Sequence, residues 1–128
     1  MTLHRGGCHC GDVAFEVEAP PELTVQECNC SICSMTGFLH LIVPASRFRL
    51  LRGADCLTAY TFNTRTARHL FCRRCGIKSF YVPRSNPDGI DVNVRCLEPD
   101  TIASLEITPY DGQRWEQAAG SIAHLSQE

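Results

Sequence analysis

The chain has 128 residues, with twelve Lys and Arg against fourteen Asp and Glu, a formal net charge of −2, and nine cysteines. That length bounds it to one domain with a modest core, which bound metal would help to hold. The balance of charge gives no basic field for nucleic acid, and no apolar stretch is long enough to span a bilayer, so neither partner is expected.

In chain order, Met1-Thr2-Leu3-His4-Arg5 shows no apolar run behind a basic start, so a reducing, cytoplasmic compartment is expected. Glycines surround Cys8 and Cys10, permitting the sharp backbone that lets two sulfurs one residue apart face one ion. Asp12–Glu18 alternates, with Val13, Phe15 and Val17 on one face, and predicts a strand. Cys28-Asn29-Cys30-Ser31-Ile32-Cys33 follows, with one helical turn expected over Ser31–Met35. Leu39–Pro44 reads as a short apolar strand, and Thr58–Phe62 and Arg68–Phe71 as strands flanking a hairpin turn at Asn63-Thr64-Arg65-Thr66. Cys72-Arg73-Arg74-Cys75-Gly76 has the form of a metal knuckle. Ser79–Val82 and Ile90–Val94 predict two more strands, Asp100–Ser104 a helical turn, and Trp115–Leu125 a short helix interrupted at Gly120. The expectation is one mainly β domain over residues 1–128, built from short antiparallel sheets with few helical turns.

Seven of the nine cysteines fall in three tight groups of two, three and two. Such spacings in a reducing compartment favour metal over disulfide, and neighbours this close make poor structural disulfides. Cys8, Cys10, Cys72 and Cys75 would make a closed tetrahedral site with zinc–sulfur bonds of ~2.3 Å, tying the N-terminal strand to the middle of the chain. Iron also accepts four thiolates, but zinc is expected. Cys28, Cys30 and Cys33 supply three sulfurs from one segment and leave a fourth position for water or a substrate thiol, the layout of catalytic zinc. A zinc-bound thiol stays deprotonated near neutral pH, so addition of a thiol to a small carbonyl, or its reversal, is the expected chemistry. The rival is a second structural zinc closed by Cys56, Cys96, His40 or His69. Cys56 and Cys96 read as buried small hydrophobes, His9 as pointing away from the metal, and His69 as a strand-face residue. Phe80, Tyr81 and Trp115 read as core, with an aromatic wall beside the open zinc as the alternative. Arg5, Arg73, Arg74 and Arg95 either offset thiolate charge or are solvated surface. A non-catalytic zinc module that binds a protein or a small thiol is the rival function.

Gly6-Gly7-Cys8-His9-Cys10-Gly11, Cys28-Asn29-Cys30-Ser31-Ile32-Cys33 and Phe71-Cys72-Arg73-Arg74-Cys75-Gly76 together resemble the glutathione-dependent formaldehyde-activating enzyme and centromere protein V family, over residues of about 6–116. Val43–Phe48, Tyr60–Thr64 and Ser79–Pro87 resemble its centromere protein V branch. The resemblance implies a zinc-binding β-tent fold with two Zn²⁺ ions. It assigns the structural one to Cys8, Cys10, Cys72 and Cys75, and the catalytic one to Cys28, Cys30 and Cys33. It implies a carbon–sulfur lyase reaction that joins formaldehyde and glutathione, and leaves the residues that bind glutathione unassigned.

Overall fold

The structure is a computed structural model that describes residues 1–62, 67–114 and 119–127. The strands are β1 (Thr2–Gly7), β2 (Ala14–Ala19), β3 (Glu22–Cys28), β4 (Leu39–Pro44), β5 (Phe48–Arg52), β6 (Leu57–Tyr60), β7 (His69–Cys72), β8 (Phe80–Tyr81), β9 (Gly89–Asn93) and β10 (Ser104–Tyr110). One short helix, α1 (Ser31–Thr36), links β3 to β4. The strands form a three-stranded sheet in the order β1-β2-β5, a five-stranded sheet in the order β10-β3-β4-β9-β8, and the two-stranded β6-β7. A mainly β fold is therefore what the sequence builds.

The five-stranded sheet positions everything else. Successive residues of a strand face opposite sides, and its register sorts two different surfaces. Leu23, Val25, Leu39, Leu41, Val43, Phe80 and Val92 point into the hydrophobic core. Gln26 pairs with His40, Ile42 with Asp91, and Asp91 with Tyr81, so these residues share the opposite face. Every residue of β4 is buried, because both of its faces are covered. The core closes against the three-stranded sheet. There Phe15, fully buried, meets Phe48 and Phe80 with ring centroids 5.1 and 5.8 Å apart.

Several elements depart from the sequence reading. The β3–β10 pair is parallel, from Ser104 opposite Glu22 to Tyr110 opposite Cys28, so the sheets are not all antiparallel. β10 is exposed along six of its seven residues, leaving it no burial pattern to read; Pro109 is tolerated because the strand lies at a sheet edge. The turn expected at Asp100–Ser104 is a 3₁₀ turn at Pro99–Thr101, and Ser104 already begins β10. Where a C-terminal helix was expected, residues 119–126 form two 3₁₀ turns, Ala119–Ser121 and Ala123–Ser126. The rest of that span, including Trp115, and the turn at Asn63–Thr66 lie outside the described residues. Among the described residues no helix is long and apolar enough to cross a membrane.

Phe15 gives the core its clearest test. Phe15→Ala should cost ~3–5 kcal/mol of unfolding free energy, measured as a lower denaturant midpoint at an unchanged slope.

Candidate metal centre and adjoining cavity

Two groups of cysteines come together, each with its sulfurs within 4.8 Å of one another: Cys8, Cys10, Cys72 and Cys75, and Cys28, Cys30 and Cys33. All nine cysteines are free thiols, and Cys56 and Cys96 join neither group. Both are only half-buried, so neither is the fully buried small hydrophobe expected, although desolvation pushes the Cys96 thiol up to about 11.

In the first group, Cys8 Sγ lies 3.6 Å from Cys10 Sγ, and Cys10 Sγ 3.7 Å from Cys72 Sγ. A tetrahedron of four bonds of ~2.3 Å has edges of ~3.8 Å, so the sulfurs already stand where a zinc ion would hold them. Gly6 and Gly7 act here by close approach rather than by a sharp turn. A Cβ on Gly6 would fall 2.7 Å from Cys96 O, and one on Gly7 2.2 Å from Val13 O. The left-handed positions are instead Gly11 (φ 85°) and Gly76 (φ 76°), each just after a cysteine pair. Backbone amides point at the sulfurs, with Val13 N–H donating to Cys8 Sγ at 3.3 Å. The Asp12 amide favours a Cys10 thiolate, but burial and the adjoining sulfurs of Cys8, Cys72 and Cys75 push that thiol up to about 12. Desolvation opposes ionisation of Cys75, yet amides of Cys10 and Ile77 and the neighbouring thiols bring it down to about 6.

The second group spans the end of β3 and the start of α1. Cys30 caps the helix, and its carbonyl accepts from Ser34 N–H at 2.9 Å, so Cys33 follows one turn later on the same side. Thiols of Cys28 and Cys33 donate to Cys30 and draw it down to about 2; contact with Cys30 pushes Cys28 up against the opposing effect of Cys33, and contacts with Cys28 and Cys30 push Cys33 up. Without a cation, three sulfurs this close can carry only one negative charge comfortably. Among the described residues no His, Cys, Asp or Glu adds a fourth ligand to this group. His40 and His69, weighed as closing ligands, stand outside it.

A clasp from the C-terminal end of β10 seats the group. Asn29 Nδ2 donates to Asp111 Oδ1 at 3.0 Å, and Gln113 donates through its backbone N–H and its Nε2 to Asn29 Oδ1 and O at 3.0 and 3.1 Å. Between these bonds Gly112 lies so close that a Cβ there would fall 2.3 Å from Cys28 Sγ.

Cys28, Cys30 and Cys33 line a cavity of about 320 Å³. Its floor is the second face of the five-stranded sheet, with Gln26, His40, Asp91 and Tyr81; Arg84, Tyr110 and His69 complete the wall. His69 is stacked on Tyr81 at 4.9 Å, so an aromatic wall does border the three sulfurs, while Phe80 belongs to the core. Behind that wall Lys78 is buried, with Nζ 2.7 Å from His69 Nδ1 and 3.8 Å from the Tyr81 ring centre. Burial lowers the Lys78 ammonium to about 8 against the support of the cysteine charges and Asp91; burial and then the Lys78 charge hold His69 near 4. Of the arginines weighed as charge compensators, Arg5, Arg73, Arg74 and Arg95 are exposed, and Arg74 reaches Asp12 at 3.6 Å.

The family model described as glutathione-dependent formaldehyde-activating enzyme matches residues 3–115. The fold is also similar to the crystal structure of a Rhodobacter sphaeroides protein from structural genomics. The two share 41% sequence identity at a TM-score of 0.69, over 81% of this chain and 99% of that one.

Two outcomes are expected. Stripping metal should lower the melting temperature and erase the near-ultraviolet dichroism of packed aromatics; native signals in a verified metal-free protein would contradict this. Gly112→Ala should reduce the zinc bound per chain in elemental analysis by displacing Cys28 Sγ. Gly120→Ala, whose Cβ would meet nothing within 4 Å, should not.

Proposed function

The chain belongs to the glutathione-dependent formaldehyde-activating enzyme family, and on that premise we propose that it is a zinc-dependent carbon–sulfur lyase acting on adducts of a thiol, glutathione foremost, with a small aldehyde such as formaldehyde. Cys8, Cys10, Cys72 and Cys75 would hold a structural zinc, and Cys28, Cys30 and Cys33 a catalytic one. The observation that carries this reading is the unequal pair of sites: one sulfur group is complete, and the other has three sulfurs that border a cavity. When bound there, zinc would supply a Lewis acid that keeps a substrate thiol ionised at neutral pH.

The chain's own residues supply the rest. At about 320 Å³ the cavity lies at the small end of ligand sites, which run ~300–1,000 Å³, and suits a thiol of peptide size or less. Arg84 lines it, and a guanidinium is a natural partner for a carboxylate on the entering thiol. Tyr81 and His69 present ring faces that limit water beside the reacting sulfur. The reaction belongs in a reducing compartment, where glutathione and free protein thiols coexist.

Exchange between ¹³C-formaldehyde and S-hydroxymethylglutathione, followed by NMR, tests the activity directly. Zinc-loaded protein should accelerate it, and Cys30→Ser should abolish the acceleration. A wild-type rate equal to the uncatalysed one would leave a non-catalytic binding module as the better description. Arg84→Ala should raise KM for glutathione by about tenfold or more, the loss of one hydrogen bond between charged groups, and leave KM for 2-mercaptoethanol nearly unchanged. Cys75→Ser should lower the melting temperature far more than Cys33→Ser; equal losses would show that the two sites do not divide structure from chemistry.

A further inference from the structure

Among the described residues, four buried side-chain polar atoms have no partner: Gln26 Oε1, His40 Nε2, Asp91 Oδ1 and Tyr110 OH. All four residues line the cavity that Cys28, Cys30 and Cys33 border. An unpaired buried polar atom is costly, so their gathering in one place marks a surface shaped to meet a polar ligand rather than scattered packing faults.

His40 is distinct within that set. It sits on β4, 5% exposed, with Nδ1 2.6 Å from Asp91 Oδ2 on β9. A carboxylate can only accept, so Nδ1 carries a hydrogen, and in the neutral ring Nε2 then keeps its lone pair. Phe38 and Tyr81 pack on the ring with centroids 4.6 and 6.0 Å away, and the ring lines the same cavity as Cys30 and His69. The other cavity histidine is set the opposite way. His69 Nδ1 accepts from the Lys78 ammonium at 2.7 Å, which places the remaining hydrogen on Nε2 and leaves that ring no lone pair for a proton. One histidine of the cavity is thus arranged as a base and one as a donor.

We propose that His40, held by Asp91, is the proton-transferring residue of this cavity, taking the proton of an entering thiol on Nε2 and returning it to the oxygen of the aldehyde. This rests on the thiol–aldehyde reading above. The sulfur lone pair forms the new C–S bond, the C=O π pair moves onto oxygen, and the proton carried by the imidazole completes the hydroxymethyl group. Thiol plus aldehyde therefore equals adduct, with no change of oxidation state; cleavage runs the same steps backwards. Asp91 is a positioning residue that fixes the tautomer and stabilises the imidazolium.

His40→Asn tests this in the full-length zinc-loaded protein, because the amide can still donate to Asp91 while nothing replaces Nε2. Turnover should fall by ~10²–10⁴-fold, with zinc content and melting temperature unchanged, and added imidazole should restore part of it. The second readout is independent of turnover: titration calorimetry with glutathione and with 2-mercaptoethanol, in buffers of different protonation enthalpy, counts protons released on binding. Wild type should release well under one per thiol, and His40→Asn about one, since His40 no longer keeps the thiol proton. Asp91→Asn, which donates to Nδ1 and so moves the hydrogen to Nε2, should match His40→Asn if that variant folds poorly. Equal proton counts in wild type and variants, or unchanged turnover, would overturn the assignment. Loss of zinc from His40→Asn would also overturn it, by making His40 a ligand. Wild type that binds no thiol would instead refute the thiol–aldehyde reading, and the role of His40 would fall with it.

Discussion

A strand offers its side chains only two directions, and in the five-stranded sheet both are committed. Odd-numbered positions of β3 and β4 go to the core, with Val25, Leu39, Leu41 and Val43 packed there. On the other face, Gln26, Cys28, His40 and Ile42 line the cavity. The three-cysteine group begins on the same strand that seals the core, so its placement is inherited from hydrophobic packing. A slip of one residue in β4 would exchange the two sets and destroy core and cavity together.

Charge is the second constraint. Crowding of the sulfurs favours the thiolate at Cys30 and Cys75 and opposes it at Cys10, Cys28 and Cys33, so neither group can readily lose all its protons by itself. A divalent ion removes that restriction by replacing protons. The surroundings are asymmetric in the same sense. Backbone amides surround the complete group, whereas the three-sulfur group faces side chains that can exchange protons or charge with a ligand: His40, Asp91, His69 and Arg84.

Much of this was legible in the sequence because the signals were local. The cysteine spacings assembled as read, and the alternation of Val13, Phe15 and Val17, the apolar run Leu39–Pro44 and the strand around Asp91 all formed. What escaped was set by long-range pairing. β10 has no apolar face of its own and becomes a strand only by lying parallel to β3. The clasp through Asn29, Asp111 and Gln113 likewise joins ordinary surface-type residues whose relation exists only after folding. His40 and Asp91 were half visible. A lone acid inside Ile90-Asp91-Val92-Asn93-Val94 and a lone imidazole inside Leu39–Pro44 are polar residues where burial was expected, but their pairing needed the β4–β9 register. His69 read as a strand residue and is one; its role at the cavity comes from the stack on Tyr81 and the buried Lys78 beneath.

The clasp has a consequence for how the molecule is made. Its partners Asn29 and Asp111 lie 82 residues apart, and contacts so distant along a chain form late, after shorter loops have closed. During synthesis the first two cysteine groups emerge long before Gly112 and Gln113 can press against Cys28. Cys28, Cys30 and Cys33 are thus made well before the residues that clasp them, and wait unseated while the intervening stretch is synthesised.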